Sequence, residues 1–346
     1  MLDWFRGQIS LHHTPIPSGV VLSINSDDSL EWQSIKKTQL IERRGSHESS
    51  IKIRSVGGNG SRMATDLQID GNLAKFLQGH NIFGSEDLNK LLLLTFQKII
   101  ASYSDLIEPW DVEIAEQRIK RGDYLVKMID VNRMFDLGND PSVEAWLHAA
   151  EMKARSRSGR ATRDKGTVYL QKNSRRWGLK FYNKLREMNA KGKGHQLPEE
   201  LQDLGLGDFA RGKLRAELRF QSLELKELGV THGYHVTQSW IEKTFNDYLG
   251  RIEMNTQATL IDEQLINLPR HVQSTYQLWR QGVCLKDMLP HNTFYRHRRQ
   301  LLTQGIDITC PPSSPDHQNV VPMFRVLEAI PVGTPDWAYE KGLVVV

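Results

Sequence analysis

Apolar and polar residues alternate over short stretches in the first seventy positions: Trp4–Leu11, Gly19–Ile24, Leu30–Ile41 and Ile51–Val56. Pro-Ser-Gly, Ser-Asp-Asp, Arg-Gly-Ser and Gly-Gly-Asn-Gly separate them, so the pattern predicts strands joined by turns. Leu88, Leu91, Leu92, Phe96, Ile99 and Ile100 then recur at helical spacing, predicting a helix capped by Ser85 and running through Tyr103. An apolar strand follows over Tyr124–Phe135, then a helix capped at Asp140-Pro141 that carries Val143, Trp146, Leu147 and Ala150. Two further extended stretches lie at Thr167–Leu185 and Lys213–Leu225. Strands recurring around intervening helices predict one α+β domain over residues 1–235.

From about Val236 the pattern turns helical. Tyr276–Gly282, Leu285–Leu289 and Asn292–Gly305 read as two short helices and a longer basic one, forming a smaller, mostly helical C-terminal domain over residues 236–346. The order is similar to a helix-turn-helix, with Arg296, His297, Arg298 and Arg299 on the last helix. A solvated basic face on an ordinary helical cap is the competing reading. Met188–Pro198, with Lys-Gly-Lys-Gly, reads as a loop.

Composition narrows the class. The 346 residues are 39% hydrophobic and 25% charged, as in globular chains, and no apolar run approaches the length of a membrane span. Two cysteines, Cys284 and Cys310, make neither a disulfide framework nor a metal cluster, and a reducing cytoplasm is expected. With a net charge of only +4, a nucleic-acid footprint requires clustered charge. Lys153, Arg155, Arg157, Arg160, Arg163 and Lys165 form such a cluster, either a solvated loop or a track for a DNA backbone.

Three extended segments carry candidate chemistry. In Trp177–Lys184, alternation places Lys180, Tyr182 and Lys184 on one face, where two ammonium groups would favour the phenolate of Tyr182. A rim tyrosine between solvated lysines is the plainer reading. In Leu125–Asn132, Asp130 interrupts an apolar strand. In Lys213–Phe220, Arg215, Glu217 and Arg219 share a face, as in an ordinary ion cluster. Asp130 and Glu217 on neighbouring strands would alternatively hold one hard divalent cation, Mg²⁺ or Mn²⁺. His12-His13, followed by Pro15, reads as a surface loop. His80, just past a short helix with Gly79 as its C-terminal cap, reads as a packing residue or, secondarily, a DNA contact.

Taken together, these residues resemble the replication initiators of filamentous phages, the gene II and gene X family. The resemblance runs from Met1-Leu2-Asp3-Trp4 to the end, and is densest at Ala74-Lys75-Phe76-Leu77-Gln78-Gly79-His80-Asn81-Ile82-Phe83-Gly84. Asn319-Val320-Val321-Pro322, Arg325 and Pro335-Asp336-Trp337 are similar as well. A second resemblance reaches the Rep proteins of staphylococcal rolling-circle plasmids. Met128-Ile129-Asp130, Tyr182-Asn183-Lys184 and Arg215-Ala216-Glu217 follow their order of an Arg-(Ile/Leu)-Asp strand, a Tyr-Asn-Lys segment and an Arg-x-Glu strand. Met128 departs from that pattern, where an arginine is usual.

These resemblances imply an antiparallel-sheet nicking domain with flanking helices, Tyr182 as nucleophile, and Asp130 and Glu217 as ligands of Mg²⁺ or Mn²⁺. They imply rolling-circle initiation in a bacterial host cytoplasm, through a 5′-phosphotyrosyl link and a free 3′-hydroxyl. Double-stranded origin DNA, single-stranded DNA, host helicase and host polymerase are the implied partners, with a dimer on the origin allowed and no membrane. A DNA-binding replication regulator without catalysis, or a nucleic-acid-binding scaffold with incidental carboxylates, are the competing functions.

Overall fold

The computed structural model describes residues 1–17, 19–25, 29–35, 39–41, 50–58, 63–156, 159–190, 196–254, 268–302, 306, 308–309 and 331–345. Its strands are β1 (Leu2–His13), β2 (Val20–Ile24), β3 (Leu30–Ile35), β4 (Gln39–Ile41), β5 (Ile51–Val56), β6 (Ala64–Asn72), β7 (Leu125–Asp136), β8 (Ala154–Ser156), β9 (Gly159–Arg160), β10 (Thr162–Asp164), β11 (Thr167–Leu170), β12 (Trp177–Asn183), β13 (Lys213–Gln221) and β14 (Glu253–Met254). Nine of them form one sheet in the order β10-β11-β12-β13-β7-β1-β6-β5-β4, with every neighbouring pair antiparallel. The fold is α+β, as expected.

Period-two alternation gives this sheet two unlike faces. Ile53 of β5, Ile69 of β6, Phe5 and Ile9 of β1, Ile129 and Val131 of β7, Leu218 and Phe220 of β13, and Leu179 and Phe181 of β12 are all buried on one side. Helices α1 (Leu73–Gln78), α2 (Leu88–Ile100), α3 (Pro109–Lys120) and α4 (Asp140–Lys153) bring Phe76, Leu92, Phe96, Ile119, Trp146 and Leu147 into the same core. The other face carries the polar residues. Short helices α5 (Lys184–Met188), α6 (Leu206–Ala210) and α7 (Ser222–Glu227) punctuate the later strands.

Several local expectations are corrected. Asp87, not Ser85, caps α2 by accepting from Lys90 N at 2.9 Å, while Ser85 Oγ accepts from the Asp87 N–H. Asn139 caps α4, leaving Asp140-Pro141 in its first turn, where the missing proline N–H costs no hydrogen bond. Thr167–Leu185 is two strands around a turn in which Gln171 adopts a φ of 58°. Lys213–Leu225 ends as a strand at Gln221 and passes into α7. Strand β6, whose Leu67 and Ile69 alternate with polar residues, is an addition to the expected set. His12 and His13 lie on β1 rather than in a loop, His12 exposed and His13 buried with Nε2 2.9 Å from Ser55 Oγ. Gly79, at φ 88°, does cap α1.

Two elements beyond residue 235 rejoin this body. Helix α8 (Gln238–Leu249) buries Ile241, Phe245 and Tyr248 in the main core, Tyr248 edge-on to Trp177 and Phe220. Residues 331–345 form a second, smaller core with Ile82, Phe83, Met134, Met188, Leu206 and Ala210. Helices at Arg270–Arg280, Leu285–Met288 and His291–Leu302 enclose a third, around Tyr276, Trp279, Phe294 and Leu301.

Trp146 is 2% exposed, its ring edge-on to Phe181, and its indole N–H is buried without a partner. Trp146→Ala should therefore cost about 3–5 kcal/mol in urea unfolding. Trp146→Phe should cost less than about 1.5 kcal/mol, because it keeps most of the packing and removes an unsatisfied donor.

Candidate active site

Three strands in fixed register build the polar face. Lys180 of β12 stands opposite Glu217 of β13, which stands opposite Asn132 of β7. One row further, Arg219 faces Asp130; one row back, Tyr182 faces Arg215, and Arg215 faces Met134. Directly opposed residues point the same way. Asp130, Tyr182 and Glu217 therefore share one face of adjacent strands, and the two carboxylates are diagonal neighbours.

Most of this cluster is buried. Asp130 and Arg215 are at 0%, Glu217 at 3% and Tyr182 at 6% exposure. Charges so placed must be paired. Glu217 Oε1 accepts from Lys180 Nζ at 2.6 Å, and its Oε2 accepts from the Tyr182 hydroxyl at 3.1 Å. Arg219 makes a two-point contact with Asp130, Nε at 2.8 Å and Nη2 at 2.6 Å. Arg215 Nη2 lies 3.4 Å from Asp3 Oδ2, and its Nη1 donates to the Asn81 carbonyl. The guanidinium Nε is buried without a hydrogen-bond partner, as is Nδ2 of Asn132.

Ionisation follows from these contacts. Burial pushes Glu217 up, but Lys180 and Arg215 outweigh it and hold the carboxyl at about 2. Burial also pushes Asp130 up, against the pairing with Arg219. The Tyr182 phenol is raised well above its ordinary value, by burial first and then, against the opposing pull of Arg215, by the Glu217 charge. The expectation of a phenolate favoured by two flanking lysines is thus overturned: the phenol keeps its proton and donates it to a carboxylate.

Lys184 is also placed differently. Asn183 ends β12 and caps α5 through its side chain, so Lys184 leaves the strand alternation that would have set it beside Tyr182. It is 1% exposed, with Nζ bonded to Asn81 Oδ1 at 2.8 Å and Glu187 Oε2 at 2.7 Å. His80 is buried too. Its Nδ1 accepts from the Ile82 N–H and its Nε2 lies 2.8 Å from the Leu343 carbonyl, so it packs the tail rather than facing a ligand.

Among the described residues no three or more histidine, cysteine, aspartate or glutamate side chains gather closely enough to hold a metal ion. A divalent cation here would rest on the carboxylate oxygens of Asp130 and Glu217; the partnerless Asn132 atom in the row between them is the amide nitrogen, a donor and not a ligand. That oxygen donor set suits a hard cation. Its charge is now met by Lys180 and Arg219, whose side chains are 33% and 42% exposed.

Other candidates lie apart. Arg160 contacts Thr309, and Arg163 pairs with Glu144 at 2.8 Å. Arg157 and the side chains of Lys153 and Arg155 lie outside what is described. On the last basic helix Arg296 and Arg299 are exposed and Arg298 is half-buried. His297 instead turns inward, with Nδ1 2.8 Å from Thr275 Oγ1, because helical periodicity groups it with Phe294 and Leu301. Sequence reasoning missed Asp3, Asn81 and Asn132 as members of the cluster; Asn132 was within reach, two residues from Asp130 on one strand.

Residues 1–242 match the N-terminal family of the phage gene II replication-associated protein, and residues 260–344 match the C-terminal family of the same protein. The gene II replication-associated protein of Enterobacteria phage I2-2 is 42% identical over 335 residues, covering 97% of this chain and 95% of that one. No solved structure matches. The chain belongs to the phage gene II replication-associated protein family, with both of its halves present.

Proposed function

We propose that this protein initiates rolling-circle replication of a phage genome by nicking and rejoining origin DNA with Tyr182. One observation carries the reading: the Tyr182 hydroxyl donates to the buried carboxylate of Glu217, within one face that also holds Asp130, Lys180, Arg215 and Arg219. A protonated phenol is a poor nucleophile, and a fixed acceptor at hydrogen-bond distance is what activates it. Glu217 takes the proton as the phenolic oxygen bonds to phosphorus. The bond from phosphorus to the 3′ oxygen breaks, and that oxygen takes up a proton from water, whose balance is restored when Glu217 releases the phenolic proton to solvent. This leaves a free 3′-hydroxyl for a host polymerase and a 5′-phosphotyrosyl link. Reversal of the same step rejoins the strand.

Arg215 is the group next to Tyr182 best suited to the phosphate. Its guanidinium is held in place by Asp3 and the Asn81 carbonyl, while Nε has no partner. Such a preorganised donor stabilises negative charge developing on phosphate oxygens. Lys180 supplies a second positive charge from the rim, and Lys184 acts through Asn81, which it fixes. A bound Mg²⁺ or Mn²⁺ at Asp130 and Glu217 would add Lewis-acid polarisation of the phosphodiester. Duplex origin recognition falls to the exposed Arg296 and Arg299, with Arg298 beside them. Host helicase and polymerase complete the partner set, in the host cytoplasm.

Three outcomes are expected. Tyr182→Phe should abolish conversion of supercoiled origin plasmid to open circle and remove the covalent protein–DNA adduct. It should change stability by only about 1 kcal/mol, the scale of one hydrogen bond. Undiminished nicking would remove Tyr182 from the reaction and move the nucleophile's role to another residue, such as Tyr169. A parent protein that binds the origin and never nicks it would favour a non-catalytic DNA-binding regulator.

Asp130→Asn and Glu217→Gln should each weaken Mn²⁺ binding in calorimetry and lower nicking by orders of magnitude. Glu217→Gln also leaves Lys180 and Arg215 facing a neutral group, at a cost of about 3–5 kcal/mol. The double variant Glu217→Gln/Lys180→Met, which removes one of those charges, separates lost chemistry from lost stability. Nicking that persists in chelator would exclude the cation.

Arg299→Ala should lower origin affinity by about 1–3 kcal/mol if the side chain reads a base. Should it touch only phosphate, binding to origin and scrambled duplexes should fall together, and the salt slope by about one contact. Equal affinity and slope for the variant and the parent protein would take this helix out of recognition.

A further inference from the structure

The polar sheet face continues past the tyrosine cluster, toward β1, β6 and β5. Two irregularities of register on the β1–β7 seam shape it. Leu2 pairs with Val131 and Phe5 with Ile129, so Asp3 and Trp4 together oppose the single residue Asp130. Arg6 pairs with Met128 and Gly7 with Val126, which leaves Lys127 as the extra residue of β7. A bulge re-aims a side chain that strict alternation would send elsewhere. Asp3 thus reaches Arg215, and Trp4 Nε1 donates to Asp70 Oδ1 at 2.7 Å on the same face.

Charge accumulates beside this indole. Arg6 stands opposite Asp70, with which it pairs at 2.8 Å, and Asp70 stands opposite Lys52. Gln8 stands opposite Gln68 and Gln68 opposite Arg54, again on one face. Lys127 lies near enough to Arg54 and Arg6 that, after burial, their charges depress its pKa, while Asp66 opposes them. Four cations therefore face two carboxylates, Asp66 and Asp70, with Lys52 and Arg54 exposed. The buried faces of the same strands look the other way, toward α2 and α3.

From β5 to β12 is five strand spacings, about 24 Å. Arg219 and Lys180, both partly exposed, continue the positive charge from Lys127 to the rim above Tyr182. Cations spaced by neutral amides, with an indole among them, are what a single nucleic-acid strand uses: contacts along its backbone and a flat surface for a base.

We propose that this half of the face is a subsite for single-stranded DNA flanking the scissile phosphate, with Arg6, Arg54 and Lys127 on phosphates and Trp4 against a base. The position of the scissile phosphate rests on the nicking reading above; the binding itself does not. A fluorescein-labelled dT12, which lacks any origin, is the probe, and fluorescence anisotropy at several salt concentrations is the readout.

Arg54→Gln/Lys127→Gln should weaken dT12 binding about tenfold at 0.1 M salt and flatten the salt slope by about 1.4, the value for two contacts on a single strand. Trp4→Phe should weaken binding severalfold with the slope unchanged. Lys120→Gln/Arg121→Gln, which removes equal charge from the helical side, should have no effect. Unchanged binding by Arg54→Gln/Lys127→Gln, or an equal loss in the helical-side control, would overturn the proposal. So would competition by a poly-glutamate peptide at equal charge that Trp4→Phe does not alter, since the surface would then select acidic chains and not bases. Both substitutions keep polar stems on the surface, and a thermal melt matching the parent protein certifies the fold. Tyr182→Phe should bind dT12 normally, so this result and the nicking result fail independently.

Discussion

Lys180, Glu217 and Asn132 stand opposite one another across three hydrogen-bonded strands, and almost everything else in the structure depends on that register. A slip of one residue in β13 would send Glu217 into the helical core and bring Ala216 or Leu218 to the polar side. The apolar face guards against it. Ala216, Leu218 and Phe220 are buried at 0–1% exposure, and a slip would expose them. Hydrophobic burial on one side thus fixes the positions of charges on the other. The bulge that sets Asp3 and Trp4 opposite Asp130 is the point where alternation is locally set aside in favour of the site.

Burying this many charges is costly unless each has a partner. Asp130 has Arg219, Glu217 has Lys180, and Asp3 has Arg215, so three carboxylates are matched by three cations. The match is complete in charge and incomplete in hydrogen bonds. Nε of Arg215 and Nδ2 of Asn132, both beside the Tyr182–Glu217 pair, have none. Most buried polar atoms in a folded chain are satisfied, and the indole N–H of Trp146, on the helical side of the sheet, is a further exception.

Sequence patterning reached the sheet's membership better than its edges. β1, β5, β7 and β13 were legible because Leu, Ile and Phe alternate cleanly with polar residues. β6 was not, since it carries only Leu67 and Ile69 as large apolar residues among Asp66, Gln68, Asp70, Gly71 and Asn72, and its pairing with β1 and β5 supplies the rest of its support. Asp130 was legible as a carboxylate interrupting an apolar strand, Tyr182 as a phenol between two lysines, and Glu217 as an acid between two arginines. Their coincidence on one face was reached through the family resemblance and not through local pattern, because it depends on interstrand register. Lys184 misled for a local reason: Asn183 can cap a helix as readily as it can continue a strand, and alternation stops being informative at that residue. The phenol's ionisation misled for a global one. Flanking ammonium groups favour a phenolate in water, whereas at 6% exposure desolvation dominates.

The tail links these observations. Leu343, Val344 and Ala338 pack with Met134 and Met188, Val332 N donates to the Met134 carbonyl at 2.8 Å, and Val345 N donates to Gln78 Oε1 at 3.0 Å. Met134 is in the same interstrand row as Arg215 and Tyr182, at its β7 end, so this small core packs against the end of the row opposite the tyrosine. It also fixes His80, and through the 79–84 turn it positions Asn81, which contacts Asp3, Lys184 and Arg215. Residues more than 250 positions from Asp3 and Asn81 in the chain thus belong to the same packing unit as the cluster. Lys180 and Arg219 keep their side chains 33% and 42% exposed, so the buried row meets solvent through their cations.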